Sequence, residues 1–152
     1  MANKIEEVWT EVVNILKNAN QPGGSLEYVK EIIQGRREDI EQFPTIIVHP
    51  LDTAEVIHTI PRQKKITFRI EITCWIDVYG KDIRITGDAN NKGMFDIEKD
   101  IKNELEKYPN LNGKCTIFSF PATEYIANPE EFPYTGVKII MATEIIAIAT
   151  NR

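Results

Sequence analysis

The sequence predicts an α+β fold: a mainly antiparallel sheet with one long hairpin, and helices packed on one of its faces. Three observations predict it. From Ile66 to Val78 every second residue is apolar, and the residues between are mostly polar. Two other stretches, one near the start and one from Met94 to Tyr108, repeat their apolar residues every three or four positions instead. The resulting order is helix, short helix, two or three strands, helix, two strands. Helices on one face of a mainly antiparallel sheet meet that order most simply.

Residues 3–18 read as an amphipathic helix, with Ile5, Val8, Trp9, Val12, Ile15 and Leu16 on one face. Asn3, followed three residues later by Glu6, fits a helix-capping pattern. Pro22, Gly23 and Gly24 end the helix, because proline lacks a backbone donor and glycine is unfavourable in a helix interior. Ser25 is placed to cap a short second helix, Leu26 to Gln34, which Gly35 stops. Residues 35–42 are polar and read as a loop.

Thr45 to His49 is β-branched and strand-like. Pro50-Leu51-Asp52 interrupts it, and Ala54 to Ile60 resumes the extended pattern before a turn at Pro61 to Lys64. The alternating strand from Ile66 to Val78 follows. Its apolar parity is Ile66, Phe68, Ile70, Ile72, Cys74, Ile76 and Val78, so one face is buried and the other wetter. At about 3.3 Å per residue it runs roughly 45 Å, well beyond the common strand. Such a strand bends at a bulge or projects beyond the domain body, and a projecting hairpin needs a neighbour.

Gly80 to Gly93 reads as a polar, flexible loop, or as such a loop holding the start of a helix. Met94, Ile97, Ile101, Leu105 and Tyr108 form a helical stripe, with Glu98, Lys99, Lys102 and Glu106 opposite. Pro109 ends this helix and Asn112-Gly113 makes a turn. Lys114 to Ala127 is extended but broken by Pro121, and a proline-punctuated loop runs from Asn128 to Tyr134. Val137 to Thr150 is the last strand. Both of its parities are apolar, which places it centrally in the sheet or at a subunit contact on its outer face.

The length, 152 residues, matches a single α+β domain spanning 1–152. Hydrophobic residues make up 42% and charged residues 27%, so the chain can form a core and is not expected to be disordered. The formal net charge of −5 argues against nucleic acid as the main partner, since phosphate binding draws on a net basic face. Cys74 and Cys115 form no CxxC pair and, with no signal-peptide pattern at the start, are expected to be reduced thiols in an intracellular protein. No apolar run reaches membrane-spanning length, so no membrane partner is expected.

Catalytic signatures are sparse. His49 and His58 have no ligand spacing around them, so no metal is expected. Ser25 and Ser119 lie outside any GxSxG motif, and Gly23-Gly24 lacks the lysine of a phosphate loop, so no catalytic or cofactor-binding residues are assigned. Glu71 and Asp77 fall on the polar parity of the long strand and read as sheet surface. The candidate residues are therefore those of an interface: Arg62, Lys64 and Lys65 as a basic group, Trp75 and Tyr79 as large aromatics on the wetter parity, and Ile140 and Ile146 on the last strand. A small-molecule-binding or enzymatic α+β domain is the alternative reading, and would need a pocket holding a perturbed carboxylate or histidine. An RNA-binding sheet would need exposed aromatics among basic residues; Trp75, Tyr79 and Arg69 share a parity, but so do Glu71 and Asp77.

The layout resembles a known family. The N-terminal amphipathic helix, the segment Phe43-Pro44-Thr45-Ile46-Ile47-Val48, and the turn and long alternating strand that follow are one part of it. The helix ending in Leu105-Glu106-Lys107-Tyr108-Pro109-Asn110-Leu111-Asn112-Gly113 and the closing strand from Gly136 to Thr150 are the other. Together, over about residues 3–150, they are similar to the tail terminator and tail-completion (neck) proteins of tailed bacteriophages and prophages. The resemblance implies a structural protein and not an enzyme. It would form a homo-oligomeric ring, commonly a hexamer, that caps the tail tube and joins it to the head connector. The implied partners are further copies of the chain, the tail tube protein and the head-connector protein, with DNA passing through the lumen without specific binding. The implied location is the virion tail or neck, and the host cytoplasm during assembly. A ring needs two different patches on each subunit, which the long hairpin and the apolar last strand could supply.

Overall fold

The computed structural model describes residues 3–35, 40–57, 63–77, 85–88, 91–126 and 135–148. Helix α1 (Lys4–Ala19) is followed by strands β1 (Glu31–Gln34), β2 (Thr45–Ile57) and β3 (Gln63–Asp77), helix α2 (Met94–Glu106), and strands β4 (Ile117–Ile126) and β5 (Thr135–Ile148). The strands make one five-stranded sheet in the order β1-β2-β3-β5-β4. The fold is α+β, and every strand pair is antiparallel except β1 with β2.

The two helices form where the periodicity places them. Asn3 caps α1, its Oδ1 accepting from the Glu6 backbone N–H at 2.7 Å, and Glu6 and Glu7 sit favourably at the positive end of the helix dipole. Val8, Val12, Ile15 and Leu16 are buried. In α2, Met94, Ile97, Ile101 and Leu105 are buried, and the Asp96 side chain accepts from the Gly93 N–H at 3.2 Å to satisfy the first turn. Both helical stripes join one cluster with Ile46 and Val48 of β2, the even positions of β3 from Ile66 to Ile76, and Val137, Ile139, Met141 and Ile145 of β5. The helices therefore cover one face of the sheet, and the opposite face belongs to the other parity.

The segment expected as a second helix is different. Residues 21–28 turn, and Glu31–Gln34 is a strand paired in parallel with β2, Ile32 lying beside Ile46. The Asn20 side chain donates to the carbonyls of Leu26 and Val29, at 2.8 and 2.7 Å. It thus satisfies the groups a helix would have used for itself. Ser25 does not cap a helix; its hydroxyl donates to Glu104 of α2 at 2.8 Å. Edge pairing to β2 outweighs a weak local helix preference.

The prolines bend strands without ending them. β2 runs through Pro50 with a register shift between Pro50 and Asp52, and β4 runs through Pro121 with a shift between Ser119 and Ala122. Both are bulges, the sites where a sheet tolerates proline. β3 bends between Trp75 and Asp77. The last strand has a neighbour on each side, β3 and β4, as its apolar composition suggested. Its two faces differ, however: Ile139 and Ile145 are buried, whereas Ile140 is half-buried and Ile146 is 42% exposed.

Candidate interaction surface

The sheet ladders define what stands side by side on the face away from the helices. Trp75 lies between Thr45 and Gly136, Glu71 between His49 and Ile140, Arg69 between Asp52 and Ala142, and Lys65 between Val56 and Ile146. On the far side of β5, Glu144 is opposite Ile117 and Lys138 opposite Glu124. Of the proposed interface residues, Lys65, Trp75, Ile140 and Ile146 therefore share this one face. Lys64 has the opposite parity and pairs with Glu55 at 3.5 Å. Arg62 and Tyr79 lie outside the described residues.

The charges on this face are matched across strands. Lys65 meets Glu144 at 2.8 Å, and Lys138 lies 3.5 Å from Glu71 and 3.6 Å from Glu124. Arg69 and Asp52 form a two-pronged pair, with Nε donating to Oδ1 at 2.8 Å and Nη2 to Oδ2. The hydrogen bond from Arg69 holds the Asp52 carboxyl below the usual carboxylate range and raises the guanidinium in turn. Such exposed pairs add little stability. Their effect is on the character of the surface: Lys65, Arg69 and Lys138 are each met by an acid, so they make no basic stripe for a phosphate backbone. That weakens the RNA-sheet reading.

Between the ion pairs lie aliphatics. Val56, Ile117 and Ile146 are 57%, 56% and 42% exposed. Val56 and Ile146 flank Lys65 in one row, and Ile117 sits beside Glu144 in the next. The three span the sheet from β2 to β4 at the end near Ile57 and Gln63, a width of about 15 Å at the usual strand spacing. At the other end the face is closed: Thr45, Ile47, Thr73 and Ile126 are buried there. Trp75 is half-buried, its indole so close over Gly136 that an added Cβ would lie 2.8 Å from Cε3. His49 is half-buried, and its Nδ1 finds no hydrogen-bond partner among the described residues.

The β2 edge is half covered. β1 pairs only with Thr45 to Val48, and every residue from Pro50 to Val56 is exposed. Among the described residues no strand pairs with this stretch on the side away from β3. On the opposite edge, β4 borders an open groove of about 600 Å³ between its residues 117–120 and Lys102, Glu106 and Pro109.

Apart from Asp52, the carboxylates with displaced pKa values, Glu98 and Glu104, are engaged in packing contacts. Burial pushes Glu98 up, but hydrogen bonds from Lys102, at 2.6 Å, and from Tyr125 outweigh it and hold its pKa below the usual value. Glu104 behaves likewise: burial opposes ionisation, and Lys107 and Ser25, each at 2.8 Å, reverse the balance. Tyr28 is pushed up, first by burial and then by Asp100, which accepts its hydroxyl at 2.9 Å. These contacts tie α2 to β4 and to the turn after α1. Among the described residues no group of three or more His, Cys, Asp or Glu is placed to hold a metal, and no helix is long and apolar enough to cross a membrane.

Val56 and Ile117 are the surface residues that sequence reasoning missed. Their parity is readable only once the bulges at Pro50 and Pro121 are placed, because a bulge exchanges the faces of all residues beyond it. In comparisons with known proteins, no protein-family model matches this chain and no curated protein matches it.

Proposed function

We propose that this chain is a structural assembly protein that works by self-association, and specifically a tail terminator or tail-completion protein of a tailed phage or prophage. In that role copies form a ring at the end of the tail tube, in the virion neck, between the tube and the head connector. The observation that carries the assembly reading is the face turned away from the helices. It has exposed aliphatics in two neighbouring cross-strand rows, set among ion pairs that cancel one another, beside a strand edge over Pro50 to Val56 with which no strand among the described residues pairs. Apolar area framed by satisfied polar groups, together with an open strand edge, is the chemistry of a protein-binding surface. The phage assignment adds the resemblance in layout from the N-terminal helix to the closing strand.

Light scattering on the purified chain, and electron microscopy of the chain mixed with tail tubes, test it. The expected result is a discrete oligomer above the monomer mass of 17.4 kDa and density at tube ends. A chain that stays monomeric at high concentration and leaves tube ends bare overturns the reading. Assembly into a discrete oligomer with no affinity for tubes retains self-association and removes the phage role.

A further inference from the structure

The two edges of the sheet match each other. Successive register partners run straight across it: Ala54, Thr67, Glu144 and Ile117 form one row, and Asp52, Arg69, Ala142 and Ser119 the next. The open part of β2 and the first residues of β4 therefore lie at the same height on opposite edges. The edge guards also share a height. Pro50 with its bulge is level with Ile70 and Met141, and the β4 bulge around Pro121 spans the partners Ala142 and Ile140. Below that level neither strand carries a proline or an unmatched charge, and Lys114 lies in the turn just before β4. Asp52 is taken by Arg69 and Glu55 by Lys64, while residues 115–119 are uncharged. Proteins ordinarily block such edges, because unpaired backbone groups recruit another strand.

Strand direction fits as well. Three antiparallel steps separate β2 from β4, so the two run in opposite directions. A second copy set beside the first in the same orientation would continue the antiparallel alternation from β4 into its own β2 below the two bulges; above them the second copy's β1, paired with Thr45 to Val48, stands between its β2 and Thr123 to Ile126 of the first, so the two strands diverge there. On the outer face this brings Val56 and Ala54 of one copy beside Ile117 of the other, covering two of the most exposed aliphatics among the described residues. On the helix side the added strand runs along the groove bordered by Phe118 and Lys102.

We infer that the open edge of β2, Leu51 to Ile57, pairs with the β4 edge of a second copy of this chain, so that the sheet runs continuously from subunit to subunit. The contact is heterologous, each copy giving one edge and receiving the other. Pairing at equal height adds no displacement along the strands, which favours a closed ring over a helical filament. The inference rests on the self-assembly reading above and names the surfaces that reading leaves open.

Two variants block one edge each. Core-facing residues of β2 turn their backbone groups away from β3, as the Val48 carbonyl does in accepting from Gly35 at 2.8 Å. Beyond the bulge Thr53, opposite Phe68, has that parity, so Thr53→Pro removes a donor from the open edge and spares the β2–β3 ladder. Ile117→Lys places a charge on the β4 edge. By light scattering the unaltered chain is expected as an oligomer, and each variant alone at the monomer mass of 17.4 kDa. An equimolar mixture of the two is expected to give dimers and nothing larger, because one intact β2 edge then meets one intact β4 edge. Should Thr53→Pro lose its native circular dichroism, Val56→Lys takes its place in the mixture. An unaltered chain that remains monomeric, an Ile117→Lys chain that keeps the full oligomer, or a mixture that forms no dimer each overturns the edge pairing. An oligomer indifferent to both variants ends this inference while leaving self-assembly standing; a chain that neither oligomerises nor binds tubes ends both.

Discussion

Ile145 and Ile146 are the same residue at neighbouring positions of one strand, so replacing each with alanine changes strand propensity alike and isolates the face on which it lies. Ile145 is 2% exposed and belongs to the core beneath the helices, whereas Ile146 is 42% exposed on the opposite face. Truncation removes three carbons, worth about 0.8 kcal/mol each when buried. At Ile145 that is about 2.4 kcal/mol, and incomplete collapse of the cavity raises the loss to roughly 3–4 kcal/mol. At Ile146 solvent already reaches the side chain and fills what is removed, so the loss is roughly 1–1.5 kcal/mol. The difference, about 2 kcal/mol, corresponds to about 1 M in urea midpoint for a domain of this size. The measurement is equilibrium urea unfolding followed by circular dichroism, at dilution low enough to hold both variants as monomers. Equal losses, or a larger loss at Ile146, would refute the assignment of faces and with it the surface on which the assembly reading depends. At high concentration the order should reverse in a second assay, with Ile146→Ala weakening the oligomer more than Ile145→Ala.

Three further outcomes follow from the packing. Glu104 has a folded pKa below its unfolded value of about 4.3, so its contribution is complete above that pH and is lost as pH falls through the folded value. Glu104→Gln should therefore lower stability by roughly 1 kcal/mol at pH 7, a loss that shrinks as the pH is lowered below about 4.3, which urea midpoints across that range will check. Gly136→Ala should destabilise by about 1–3 kcal/mol, because its Cβ would lie 2.5 Å from the Cys74 carbonyl oxygen, a backbone atom that cannot swing aside; a thermal melt unchanged from the parent would contradict this. Burial leaves Cys74 fully enclosed and pushes its thiol up, and pushes Cys115 up to about 11. Both should resist an aromatic disulfide reagent at pH 8 in the folded chain and react promptly in urea, and rapid labelling of either without denaturant would show the core to be open.

The sequence by itself determined the elements whose periodicity is long. Sixteen residues of α1, the stripe of α2 and the alternation of β3 each repeat the same instruction over several turns or pleats, so no single exception can reverse it. It also determined which parity of β3 and which stripe of each helix would meet, since apolar faces must find one another. Short or interrupted segments were left to the tertiary structure. Glu31–Gln34 carries too few residues to express a period, and its state was decided by whether β2 offered an edge and Asn20 took the carbonyls of the turn before it. The faces of Val56 and Ile117 depended on bulges at Pro50 and Pro121, and a bulge is set by pairing with a neighbour, not by the residues that form it. The open edge of β2 has the same origin. A strand edge is a relation between strands, and only the order β1-β2-β3-β5-β4, with a first strand too short to cover the second, leaves that edge without a paired strand among the described residues.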